Sequence, residues 1–263
     1  MKKYILIITV ILPLFYSCDK RLSYHKLGPE ASFIAALISD TPNLYNYVLI
    51  DYKRIQTPED SGFNVNAYAA FTDSTTGALN TVHSLTINST TPVDSNNAYT
   101  LNYSTTAGKA LAGASASVRL AGSSATDTLN SSIYVASDLG RSLSGLPTNG
   151  KAKFNKPFTL TWTPDSHSSS LSVIVQLYYY AGLSQSADSA LPATMNTLSY
   201  MVQDNGSFTF PSADVDTIPQ NAYMGISIGR VYQTQGLLPV SNRRVFLVGL
   251  SEVTSSPLLV DSL

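Results

Sequence analysis

From Phe63 to Phe71 the chain reads FNVNAYAAF, with Phe63, Val65, Ala67, Ala69 and Phe71 on one parity and Asn64, Asn66, Tyr68 and Ala70 on the other. Successive side chains of a strand point to opposite faces, so this period of two requires a half-buried β-strand and excludes an amphipathic helix. The same kind of run recurs at YNYVLIDYKR, ALNTVHSLTIN, NAYTLNYS, ASASVRLAG and SSIYVA, then at FTLTWTP, LSVIVQLYYYAG, TLSYMVQ, GSFTFP, AYMGISIGRVYQ and RRVFLVGLSEV. Gly or Pro punctuates the intervals, and the 16 tyrosines with a charged fraction of only 13% fit strands better than surface helices. The one stretch compatible with a few helical turns is ASFIAALISD, residues 31–40, which reads equally as a first strand. The expected fold class is all-β.

The runs fall into two sets of about six, each near 100 residues, the size and spacing of a β-sandwich. Residues 31–136 form the expected first sandwich and 158–256 the second, with 137–157, rich in Gly, Ser, Pro and Lys, as a linker and 257–263 as a tail. One larger sandwich or jelly roll is the alternative. In the second set, Asp204-Asn205-Gly206 lies between two β-rich runs and predicts a tight hairpin, because Asn and Gly accept positive φ. The stretch SFTFPSADVDTIPQNAYMGISIGRV, with its Pro, short acidic loop, Ile-Pro turn and a last strand ending in Arg230, resembles a recurrent pattern of bacterial immunoglobulin-like and fibronectin-like domains. Trp162 in LTWTPD resembles the core tryptophan of such sandwiches. The resemblance implies two consecutive immunoglobulin-like β-sandwiches without a disulfide.

The only cysteine, Cys18, sits where an apolar N-terminus turns polar. Lys2 and Lys3 precede an apolar run from Tyr4 to Tyr16, and Ser17 is a small residue directly before Cys18, the grammar of a secretory signal. Thirteen helical residues span about 20 Å, short of the ~30 Å hydrocarbon core, so the run is a poor permanent membrane span. The segment resembles a bacterial lipoprotein signal of the Bacteroidetes kind, with Phe15 and Tyr16 where the usual box has a leucine and a small residue. The resemblance implies cleavage of residues 1–17, acylation of Cys18 and attachment to the membrane, with an outer-membrane location expected. Residues 18–30 then form a short tether. Two or more acyl chains make a stable anchor where one is marginal.

Acylated Cys18 would leave no thiol for a disulfide or a thiolate metal site. Removing Lys2 and Lys3 from 16 basic residues leaves 14 against 17 acidic ones, with Arg243-Arg244 the longest basic cluster, so no nucleic-acid partner is expected. His25, His83 and His167 are scattered, and neither a metal site nor a cofactor is expected. GRSLSG (140–145) is out of register for a nucleophile elbow, and SYHK (23–26) lies in the tether. The clustered carboxylates, Glu59-Asp60 and Asp214 with Asp216, fall in turn-like segments; these last two with Asp204 form a weak calcium alternative. No catalytic residue is expected.

Two binding features remain. Tyr178 and Tyr180 share a strand face, and with Tyr68 they form a candidate aromatic platform for a glycan. Nine of 14 aspartates are followed by Ser or Thr. Five of these resemble the O-glycosylation sequon of exported Bacteroidetes proteins, which makes Ser74, Thr128, Ser189, Thr217 and Ser262 candidate acceptors; turn chemistry is the alternative. The expected function is a lipid-anchored, non-catalytic interaction or scaffold module for another envelope protein, with glycan binding as the alternative and a carboxylate-dependent glycan-acting enzyme third.

Overall fold

The computed structural model describes residues 25–26, 46–56, 61–72, 78–141, 143–145, 151–152, 158–180, 196–219, 222–255 and 258–260. The first strands are β1 (His25–Lys26), β2 (Asn46–Gln56), β3 (Ser61–Phe71), β4 (Ser84–Ile87), β5 (Val93–Ser95), β6 (Ala98–Asn102), β7 (Ala114–Ala121) and β8 (Thr128–Val135). They are followed by β9 (Lys151–Ala152), β10 (Thr159–Thr161), β11 (Leu171–Tyr180), β12 (Asn196–Gln203), β13 (Ser207–Thr209), β14 (Tyr223–Leu238), β15 (Arg243–Ser255) and β16 (Leu258–Val260). The only α-helices among the described residues are the short α1 (Thr105–Lys109) and α2 (Ser212–Val215). The chain is all-β, as its alternation dictates.

One large sheet runs through the molecule in the order β1-β12-β11-β14-β15-β2-β3-β6-β5. Smaller sheets, β4-β7-β8 and β10-β13, make up the second layers. Val48, Ile50 and Tyr52 of β2, Val65, Ala67, Ala69 and Phe71 of β3 and Val245 and Leu247 of β15 pack against β4, β7 and β8 in a first core. Val173, Val175 and Leu177 of β11, Tyr200 and Val202 of β12 and Ile226 and Ile228 of β14 pack against Leu160, Phe208 and Phe210 in a second. Val253 of β15 reaches the second core from the same side that Val245 and Leu247 turn toward the first, so both cores lie on one face of the large sheet.

The two halves share this sheet. β15 pairs in parallel with β2 from Phe246↔Tyr47 to Ser255↔Gln56, which joins the C-terminal strands to the N-terminal ones by main-chain hydrogen bonds. β14 continues past Arg230 to Leu238, so it serves the second core with its first part and the first core with its end. Gly249 permits the close crossing of β8 over β15, because a Cβ there would collide with the Tyr134 carbonyl.

Where the cores meet, a buried polar hub replaces apolar packing. Arg230, 1% exposed, donates from Nε to Asp204 Oδ2 at 2.9 Å, from Nη1 to Ser137 O and Oγ at 3.1 Å, and from Nη2 to the Thr163 carbonyl. Asp204 also accepts from Trp162 Nε1 at 2.7 Å and Asp165 N at 2.9 Å. Asp165 in turn accepts from Ser137 Oγ at 2.6 Å, Ser137 N and His167 N at 2.8 Å, and the Tyr134 hydroxyl at 2.9 Å. Burial pulls its carboxyl upward, but these donors outweigh it and hold the group well below the usual carboxylate range.

Two sequence expectations take a different form. The Asp204-Asn205-Gly206 turn closes no hairpin: β12 belongs to the large sheet and β13 pairs with β10, so the turn is a corner between layers. Only Gly206 has positive φ there, and the Asp204 side chain is drawn into the hub. The start of the expected linker is part of the packing. Leu139 is fully buried in the second core, and Asp138 pairs with Arg54 at 2.6 Å.

Asp204→Ala leaves the Arg230 guanidinium buried without its counter-charge, a change that costs about 3–5 kcal/mol. Urea unfolding of the variant is expected to show a loss of that size, whereas a shift under 1 kcal/mol would mean that the hub carries no such strain.

Candidate functional site

The described surface offers two places where polar chemistry gathers, one across the large sheet and one at its end. The sheet face opposite the two cores carries Leu49, Ile174, Val231, Val248 and Leu250. A polar row crosses it. Register aligns Ser199 with Gln176, Gln176 with Ser227 and Ser227 with Thr254, and Gln176 Nε2 donates to Ser199 Oγ while Ser227 Oγ donates to Thr254 Oγ1, both at 3.0 Å.

Beside this row the parallel pairing of β15 with β2 sets Glu252 against Lys53 and Leu250 against Asp51. Lys53 Nζ lies 2.6 Å from Glu252 Oε1. Asp51 and Glu252 are both buried, and Asp51 Oδ1 has no hydrogen-bond partner. Burial, reinforced by the Glu252 charge and opposed by Lys53, pushes the Asp51 carboxyl up to about 7. This carboxylate pair joins opposite ends of the chain, and no local spacing announces it. Glu252 is satisfied by Lys53 and Asp51 favours its neutral form, so the pair reads as a strained part of the sheet interior.

The second place is the end of the first sandwich, where the β14–β15 hairpin tip, the β7–β8 turn, the 79–83 segment and the start of β2 converge. A pocket of about 220 Å³ opens there, with Phe71, Val82 and Leu238 lining it alongside Asn46, Asn80 and Arg243. Asp127 holds the hairpin tip in place: fully buried, its Oδ1 accepts from Val240 N at 2.9 Å and Ser241 N at 3.2 Å. The large side chains at the tip face water. Val240 is 66% exposed, Leu237 50% and Leu79, bridged to Thr72 at the same level, 42%. Arg243 and Arg244 are also exposed there.

Of the tyrosines expected to form a platform, Tyr178 and Tyr180 share one parity of β11, but Tyr68 is not brought to them. Tyr178 and Tyr68 do lie on the same sheet face, but β11 and β3 are four strands apart, about 19 Å, and their levels differ by about eight residues along the strands, or roughly 26 Å. Tyr178 lies flat over Gly225, where any Cβ would collide with its ring. Tyr180 ends β11, paired with Tyr223.

Among the candidate acceptors, Thr128 is half-buried at the start of β8, beside the Asp127 that ties down the tip. Thr217 is exposed after α2, with its hydroxyl donating to the Asp214 carbonyl at 2.7 Å. Cys18, Ser74, Ser189, Ser262, Glu59 and Asp60 lie outside the described residues. The carboxylates of the calcium alternative are separately engaged, Asp204 in the hub and Asp214 by the Tyr200 hydroxyl at 2.8 Å. Among the described residues no group of three or more His, Cys, Asp or Glu is placed to hold a metal ion.

No protein-family model and no curated protein matches this chain. Its chemistry is therefore argued from its own residues. The hairpin end went unseen in the sequence because it is assembled from four distant segments. One local signal was there to read: Asn96-Asn97, both at positive φ between Ser95 and Ala98, make the tight turn that creates the β5–β6 edge of this sandwich.

Between pH 4 and 7 the unfolded Asp51 is ionised while the folded one keeps its proton, so this group lowers stability as pH rises through that window, by about 1.4 kcal/mol per unit at most. Asp51→Asn is expected to raise the thermal unfolding midpoint at pH 8 and to leave it unchanged at pH 4. Equal shifts at both pH values would contradict the assignment.

Proposed function

We propose that this protein is anchored in the cell envelope, at the outer membrane, by acyl chains on Cys18, and that its β body is a non-catalytic interaction module. The observation that carries this reading is the hairpin end, where a pocket lined by Phe71, Val82, Leu238 and Arg243 opens and where Val240, Leu237 and Leu79 stand exposed at the same end of the sheet. Single exposed apolar residues are ordinary, but a group gathered at one end and edged by charge has the composition of a contact surface. Asp127 bonds the backbone of the tip that presents Val240, which makes the surface a built one.

The anchor half of the proposal rests on the lipoprotein-like segment ending in Ser17-Cys18. The body adds a second attachment to it: β1, seven residues after Cys18, pairs antiparallel with the free edge of β12 through His25↔Met201 and Lys26↔Tyr200. The tether therefore joins the folded body well before residue 30.

Intact mass of the protein isolated from native membranes tests this. The wild type is expected to lack residues 1–17, to carry acyl mass and to partition into detergent, and Cys18→Ala is expected to do none of these. An unacylated wild type, or one that keeps its N-terminus, overturns the anchor.

A further inference from the structure

The face of the large sheet opposite the two cores is dry, yet no described element covers it. Ile174 is 0% exposed, Leu250 1%, Val248 2%, Leu49 3% and Val231 4%. The small sheets and both short helices pack on the other face, α1 through Gly108 against Val65 and α2 through Val215 in the second core. A sheet face left to water keeps the tops of its side chains wet, so exposures this low require a cover from elsewhere in the chain.

The apolar residues of this outer face form a diagonal. Ile174 on β11 is level with Gly229, while Val231 and Leu250 lie two residues nearer the hairpin tip. Val248 and Leu49 lie two residues further again, and Tyr47 ends the line at the level of Gln235. Residues 27–45 join the two ends of that line. Lys26, paired with Tyr200, sits at the level of Ile228 on the outer side of β12, and β2 begins at Asn46, directly before Tyr47. Five strand spacings and seven residues of strand separate Lys26 from Tyr47, about 33 Å. The chain between them spans that distance even with residues 31–40 coiled into a helix.

The hand of the connections selects the same face. Antiparallel and parallel pairings along the sheet make β6 parallel to β11, β12 parallel to β14, and β1 parallel to β2. The crossovers from β6 to β11 and from β12 to β14 both pass through the small-sheet layer. Relative to strand direction they step sideways in the same sense, so they share one hand, and crossovers within a sheet are almost always right-handed. The step from β1 to β2 goes in the opposite sense. It keeps that hand only by passing over the outer face.

We infer that the outer face of the large sheet is the docking site of the chain's own residues 27–45, laid along the apolar diagonal from β1 to the start of β2. The inference does not depend on the acylation of Cys18. Phe33, Ile34, Leu37 and Ile38 recur at helical spacing and supply the apolar stripe that such a diagonal takes. Residues 181–195 are the other long connection between described strands, but they leave Tyr180 and return to Asn196 at the end of the sheet that carries α2. From the level of Tyr180 to that of Tyr47 is twelve residues of β14, about 40 Å. Fifteen residues going out and back reach only about 25 Å. With residues 27–45 in place, Asp51 and Glu252 beside the diagonal are enclosed between sheet and segment, which accounts for their burial.

Two measurements on the purified protein test this. Hydroxyl-radical footprinting of the wild type, corrected for intrinsic side-chain reactivity, is expected to oxidise Phe33 and Leu37 at least fivefold more slowly than Val240, which is 66% exposed. Oxidation at the rate of Val240 overturns the inference. p-Benzoylphenylalanine in place of Phe33, photolysed and mapped by mass spectrometry in the monomer band, is expected to join peptides of β11, β14, β15 or β2. The same probe in place of Leu191 is expected to reach neither β15 nor β2. Adducts of the Phe33 probe confined to β4, β7, β8, β10 or β13 put the segment on the other face and overturn the inference, as does the absence of any adduct. Adducts from Leu191 on β15 or β2 with none from Phe33 give the face to residues 181–195 and overturn it as well. Where the Phe33 replacement does not fold, the probe at Leu37 repeats the test with the same outcomes.

Discussion

A guanidinium group with 1% exposure stands at the point where the two cores meet, and the arrangement of the molecule follows from satisfying it. Taking a cation out of water is tolerated only when every donor finds an acceptor and the charge is matched. Arg230 meets this demand with groups from three separate stretches: Ser137 just after β8, Thr163 after β10, and Asp204 after β12. Each has to be at its place before the others are of use, so the hub fixes how the corner loops lie over the large sheet. Trp162 and Tyr134, held through Asp204 and Asp165, extend that order into both cores. Apolar packing alone tolerates many near-equivalent arrangements, whereas a charge with fixed donor directions tolerates few.

The alternation of side chains made the strands legible. Phe63 to Phe71, Leu171 to Tyr180 and Arg243 to Val253 each read as strands, and each is one. Trp162 is indeed a core residue. What stayed hidden was partnership. A period of two says which side chains share a face and nothing about which strand lies alongside, so the parallel join of β15 to β2 had no signature, and neither did the Asp51–Glu252 pair it creates. Asp204-Asn205-Gly206 has the composition of a hairpin turn, but Arg230, Trp162 and Asp165 N compete for the aspartate and turn the segment into a corner. The platform of Tyr68 and Tyr178 failed for the same reason as the hairpin: parity was right, distance was unknowable.

The two faces of the large sheet have different characters. One is closed by the small sheets over Leu, Val, Ile and Phe side chains. The other mixes Leu49, Val248 and Leu250 with a row of hydroxyl, amide and carboxyl groups, among which Asp51 keeps an oxygen without a partner. Buried polar groups are usually paired, and one left unpaired stores strain. The hairpin end draws its rigidity from the other side, through the Asp127 carboxylate under its tip.

The parallel union of β2 with β15 also bears on when the protein can exist at all. A ribosome delivers β2 and β3 early, yet the neighbour that β2 needs on its other edge is the last long strand of the described chain. Until β15 emerges, the N-terminal half presents an open, apolar strand edge, the kind of template on which chains pair with one another instead of with themselves. Closure of this sheet waits for β15 and is slow because its partner β2 lies about 200 residues earlier in the chain. A chain cut short before β15 would leave that edge of β2 unpaired, and with it the join between the two halves of the sheet.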